Sequence, residues 1–182
     1  MIIFICILSG VFWSIFDLAR KKTLKKIGPV TVLLIFSLSQ IIFFSIWAFN
    51  SFVFFNFQEY LIPGLILIII SVLSALLFLK SLEISELSLM IPLLSFTPLF
   101  SAIISSMLLG EDLNKFQYIG ILIIMFGTMT LYSKSLNLFD ILISFKIIIK
   151  DTGAKYMIAV SFFWSLAPIL GKIGPAVLEK KM

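Results

Sequence analysis

LLGEDLNKFQYIGILIIMFGTM, residues 108–129, sets a short charged cluster inside an otherwise apolar sequence. Glu111, Asp112 and Lys115 interrupt two greasy runs, so the chain should meet water there. Asn114 and Gln117 have the spacing of an N-cap and its N3 partner, which predicts a helix starting just after Asn114. Gly120 and Gly127 then fall two turns apart on one face of that helix, where small residues let a neighbouring helix approach closely. The stretch reads as a capped hairpin between two membrane spans. A catalytic Glu-Asp pair is the less favoured reading, because charges at a membrane rim are readily solvated.

The rest of the sequence supports a lipid setting. Of 182 residues, 61% are hydrophobic and only 13% charged, against about 25% charged in a water-soluble domain. Mean hydropathy is +1.19. A spanning helix needs about 20 apolar residues, and six segments meet or approach that length: 1–19, 29–49, 60–80, 86–109, 115–133 and 155–172. The first has no basic residue ahead of its apolar run and no small-residue cleavage site, so it is expected to be a retained span. The fold class is therefore an all-α polytopic membrane bundle.

Histidine is absent and Cys6 is the single cysteine. Intrachain disulfides, Cys-His metal sites and His-based triads are thereby excluded; no catalytic residue, metal or cofactor is expected. The net charge of +5 comes from basic residues in short links between spans, where orienting the protein is their expected task. Nucleic acid is not an expected partner; the lipid bilayer and a small solute are.

One link is longer. Residues 134–154 include an apolar run from Ile141 to Ile149, broken by Lys146 and flanked by Asp140 and Lys150. It is too short to cross, so an interfacial amphipathic linker is expected. Beyond it the opening of the chain recurs: Phe12-Trp13-Ser14 returns as Phe163-Trp164-Ser165, an offset of 151 (163 against 12) that also maps Lys21 onto Lys172. Five spans separate the copies, and an odd number turns the second copy upside down, as in the inverted repeats of transporters. The expected organisation is a five-helix unit over 1–133, the linker over 134–154, and the start of a second, truncated repeat over 155–182.

The order Gly110, Glu111, Asn114, Gln117, Gly120 and Gly127 resembles the fourth-to-fifth helix junction of EamA-type transporters in the drug/metabolite transporter superfamily. LSLMIPLLSFTPLFSAI, residues 87–103, resembles that family's proline-bearing fourth helix, and the aromatic-Trp-Ser opening followed by Lys21 resembles its first. The resemblance implies two inverted five-helix repeats around a substrate cavity, and alternating-access movement of small organic solutes without a cofactor. The related small multidrug-resistance exporters carry a glutamate near the position of Ser14; no acid stands there, so that route to proton coupling lacks its residue.

Helical spacing adds a compatible interior. Gly10, Trp13, Ser14 and Asp17 share one face of the first span. Ser37, Gln40, Phe44 and Trp47 do so on the second, and Gly64, Ser71 and Ala75 form a small-residue stripe on the third. Pro92 and Pro98 stand among Ser95, Thr97, Ser101 and Ser105 on the fourth. Each proline frees a backbone carbonyl, which neighbours or water must then satisfy. Trp13, Ser14, Asp17, Gln40, Pro92, Ser95, Pro98 and Trp164 are the substrate-cavity candidates; Gly64, Ser71, Gly120 and Gly127 are the helix-packing candidates. Gln40 near mid-span should point inward, since facing lipid costs free energy. Asp17 should pair with Arg20 one turn on, rather than couple protons.

Placing Arg20, Lys21, Lys22, Lys25, Lys26, Lys80, Lys134, Lys146, Lys150 and Lys155 inside leaves Lys115, Lys172, Lys180 and Lys181 outside, which puts the N-terminus out. The resemblance implies cytoplasmic termini instead. The expected function is a permease or exporter of amino acids, drugs or metabolites in a bacterial plasma membrane, completed by self-association or a complementary half. A membrane assembly subunit that moves nothing is the alternative, and a lipid-modifying enzyme the last choice, since no intramembrane acid pair is available to it.

Overall fold

The computed structural model describes residues 2–51, 57–110, 113–133, 137, 146 and 148–179. Among them the chain is all-α: α1 Ile2–Leu24, α2 Pro29–Ser51, α3 Phe57–Ile84, α4 Leu87–Met90, a 3₁₀ segment Ile91–Phe96, α5 Thr97–Leu109, α6 Lys115–Leu131 and α7 Thr152–Glu179. The fourth span is thus α4, the 3₁₀ segment and α5 in sequence. Five helical stretches are long and apolar enough to cross a bilayer. At 1.5 Å per residue, α6 spans about 26 Å, slightly under the hydrocarbon thickness.

The helix ends on either side of the charged cluster take the expected form. Gly110 ends α5 in the left-handed conformation (φ 65°), its N–H donating to the Ser105 carbonyl. The Gln117 N–H donates to Asn114 Oδ1 at 2.9 Å, and the Asn114 N–H to Gln117 Oε1 at 2.8 Å, closing the capping box on α6. Glu111 and Asp112 lie outside the described residues.

The buried core gathers at one end of the bundle. Leu24, Val32, Phe78, Leu82, Met90, Leu93, Ile148, Met157 and Val160 form one cluster there. They come from the end of α1, the start of α2, the end of α3, the broken fourth span, the linker (Ile148) and the start of α7. Lipid tails are as apolar as these side chains, so the clustering rests on close packing and interhelical hydrogen bonds rather than on escape from solvent. α7 is central: it packs most extensively against α3, then against α5 and the 3₁₀ segment. Ser81 Oγ donates to the Gly153 carbonyl at 2.8 Å. A Cβ at Gly153 would lie 2.0 Å from Ser85 Oγ and 2.8 Å from its Cβ, so only glycine permits this approach of α7 to α3. Lys21 Nζ closes the same end, donating to the Ser85 carbonyl at 2.6 Å and to that of Leu82, which caps α3 with a cation.

Ile148, from the 134–154 linker, is fully buried in this core, whereas Lys146, Ile149 and Lys150 are exposed. Most of the expected interfacial run lies outside the described residues.

Candidate solute cavity and the broken fourth span

Pro92 and Pro98 have no N–H to donate, and between them the fourth span winds as a 3₁₀ helix whose carbonyls turn toward α6 and α7. Three carbonyls of the broken fourth span are met by hydroxyls. Tyr132 Oη donates to the Leu89 carbonyl at 2.6 Å. Thr128 Oγ1 lies 3.3 Å from the Pro92 carbonyl, 3.0 Å from that of Ile124 and 2.6 Å from Ser95 Oγ. Ser161 Oγ lies 3.0 Å from both the Leu93 and the Met157 carbonyls. In a bilayer, unpaired carbonyls would each cost several kcal/mol, on the order of 2–7, so these side chains are what let the span stay broken.

Beyond the clasp, α5, α6 and α7 diverge around an open-sided cavity of about 480 Å³. Pro98, Ser101, Ala102 and Ser105 line it from α5, Gln117, Gly120 and Ile124 from α6, and Pro168 and Ile169 from α7. None of the lining side chains is ionisable. Ser105 Oγ is 3.4 Å from the Ala102 carbonyl, a long contact that leaves its hydroxyl available to a ligand. Apolar walls with a few hydroxyl and amide groups are the usual makeup of a small-molecule site.

The sequence-derived candidates do not converge on one cavity. Pro98 lines the one just described, while Pro92 and Ser95 belong to the clasp. Trp13 lines an apolar groove between α1 and α2 with Ser9, Phe12, Phe16 and Phe36. Ser14 Oγ turns back to the Gly10 carbonyl at 2.9 Å. Asp17 Oδ1 accepts from Arg20 Nη1 at 3.0 Å, the pairing expected from their spacing. That guanidinium also sits 4.1 Å from the Phe16 ring centre, 4.9 Å from Phe36, 5.4 Å from Phe78 and 5.8 Å from Trp13, an aromatic box that favours a cation leaving water. Trp164 stacks on Phe78 at 5.6 Å and borders a small cavity with Arg20.

Two expected placements are not met within the described chain. Gln40 is exposed and lines none of these cavities. Gly120 and Gly127 do not mark a close helix approach within this chain, since a Cβ at either would meet nothing within 4 Å; Gly120 instead opens the cavity wall. Gly64 is half-buried and Ser71 exposed; the Ser71 carbonyl accepts from Ser74 Oγ at 3.0 Å within the same helix. Thr128, Tyr132 and Ser161 were not singled out by sequence reasoning as carbonyl partners. The available signal was the need itself: two prolines in one span require hydroxyls from elsewhere.

Comparison with curated proteins and with solved structures gives no match. A family model does match, described as the EamA-like transporter family, over residues 1–133. With its apolar helices, proline-broken span and hydroxyl clasp, the chain belongs to the EamA-like transporter family: it is an integral, multi-pass membrane transporter of the drug/metabolite type.

Proposed function

We propose that the cavity between α5, α6 and α7 holds a small organic solute, an amino acid, drug or metabolite, and that the chain moves it by alternating access, commonly outward, across a bacterial plasma membrane. The observation that carries this reading is the placement of a hydroxyl-bearing, apolar cavity directly against Pro98, in the first turn of α5 just past the 3₁₀ segment. With no ionisable side chain in the wall, the part of the solute held here is uncharged, because an unpaired ionic group out of water would be penalised by several kcal/mol, at least about 2–3. If the basic links lie inside, the core closes the cytoplasmic end and the cavity faces outward.

The open side of the cavity and the exposed Gln40 support a second wall supplied by self-association or by a complementary half. An amide facing lipid at mid-span is unfavourable, and a facing helix would cover it.

A thermal-stabilisation screen of the purified protein in detergent tests the reading. A ligand at about 100 times its Kd adds roughly 2.7 kcal/mol to the folded state. An uncharged or amphipathic solute should raise the Tm of the wild type and raise that of a Ser101→Ala, Ser105→Ala variant less. Stabilisation equal in both proteins would remove the cavity from the account.

A further inference from the structure

Thr97 stands at the junction of the 3₁₀ segment and α5. Its Oγ1 is buried without a hydrogen-bond partner, unlike every other buried side-chain N or O among the described residues. A native orphan of this kind calls for a physical explanation.

Winding supplies one. In an α-helix a threonine hydroxyl readily donates to the carbonyl four residues back, which for Thr97 is Leu93. Residues 91–96 are wound as 3₁₀, which displaces that carbonyl, and Leu93 accepts from Ser161 of α7 instead. We infer that residues 91–96 form a rewindable hinge, and that Thr97 is the positioning residue that holds its α-helical state by taking over the Leu93 carbonyl from Ser161. The inference rests on the alternating-access reading and supplies its moving part.

The exchange leaves both hydroxyls bonded; its cost falls on the Leu94 carbonyl, which accepts the Thr97 N–H in the 3₁₀ form and must find another donor on rewinding, because Pro98 has no N–H to offer. The single Ser161 hydroxyl hydrogen is already shared with the Met157 carbonyl at 3.0 Å, so releasing Leu93 leaves it fully bonded within α7. Thr128 is built the same way, with the Ile124 carbonyl at 3.0 Å as its partner inside α6. Thr97 gains the bond it now lacks. A 3₁₀ helix rises about 2.0 Å and turns about 120° per residue, against about 1.5 Å and 100° for an α-helix. Rewinding six residues would draw α5 in by about 3 Å and rotate it by up to about 120°. Ser101 and Ser105, on that helix, would leave the cavity wall.

The test uses full-length protein in lipid nanodiscs, with Cys6→Ser and spin labels at Ile66→Cys on α3 and Met107→Cys on α5, both exposed. Pulsed dipolar spectroscopy should give two distances. Thr97→Val, which keeps the shape and removes the hydroxyl, should deplete one of them about fivefold, the effect of one hydrogen bond, while Thr97→Ser retains both. Because the substitution deletes an orphan in the state described, Tm should hold or rise. A single distance in the wild type, a distribution indifferent to Thr97→Val, or a fall in Tm would each overturn the hinge. Two Thr97-dependent distances without solute stabilisation would uphold the hinge and sink the transport reading; solute stabilisation with a single distance would do the reverse.

Discussion

Ser95 Oγ and Thr128 Oγ1 lie 2.6 Å apart, joining the broken segment of the fourth span to α6 across 33 residues of sequence. The pair completes a relay: the Ser95 hydroxyl can donate to Thr128, which donates to the Ile124 carbonyl and approaches that of Pro92. Two short polar side chains therefore tie the proline-broken segment to α6.

Thr128→Val should accordingly lower stability by about 1 kcal/mol, the scale of an interhelical hydrogen bond in a membrane. Ser95→Ala should cost a similar amount, and the double variant less than the sum. Thermal unfolding of the four proteins in one detergent gives the coupling. Strict additivity would mean that the two hydroxyls act independently.

Gly153→Ala and Gly120→Ala should part company. A methyl at Gly153 collides with Ser85 and must push α7 from α3, at about 1–3 kcal/mol. At Gly120 the same methyl meets open space, and an added helix former should leave Tm unchanged or raise it by up to about 1 kcal/mol of stability. Equal losses at the two sites would contradict the placement of α7.

Asp17→Asn should leave the pH profile of solute flux intact, because Asp17 is engaged with Arg20 at 3.0 Å. Arg20→Met should be the more damaging change, since it empties the aromatic box and leaves a half-buried carboxylate unpaired. Flux against pH in proteoliposomes checks the first statement and thermal unfolding the second. A profile flattened by Asp17→Asn would make Asp17 the coupling acid.

Local signals made much of this architecture readable in the sequence. Hydropathy located the spans, the Asn114–Gln117 spacing located the start of α6, and Pro92 and Pro98 marked where the fourth helix breaks. The Asp17–Arg20 pair was legible because it lies within one turn. Relations between helices were not legible. Ser161 reaches Leu93 across 68 residues, and an apolar face looks alike whether it meets lipid or another helix. For that reason Gly120 and Gly127 suggested close packing but face open space, and Gln40 suggested an interior position but is exposed. The cavity residues Ser101, Ser105 and Pro168 carry no periodic or charged signature that would separate them from an ordinary packing face.

The central claim is that solute passes through the cavity between α5, α6 and α7, and Gly120→Phe addresses it most directly. A Cβ there meets nothing within 4 Å, and the ring beyond it would occupy the cavity that Gly120 lines. Saturable flux measured in proteoliposomes should fall by at least about tenfold, equivalent to about 1.4 kcal/mol, while Tm stays within a few degrees of wild type. Wild-type flux through a well-folded Gly120→Phe protein would contradict the account.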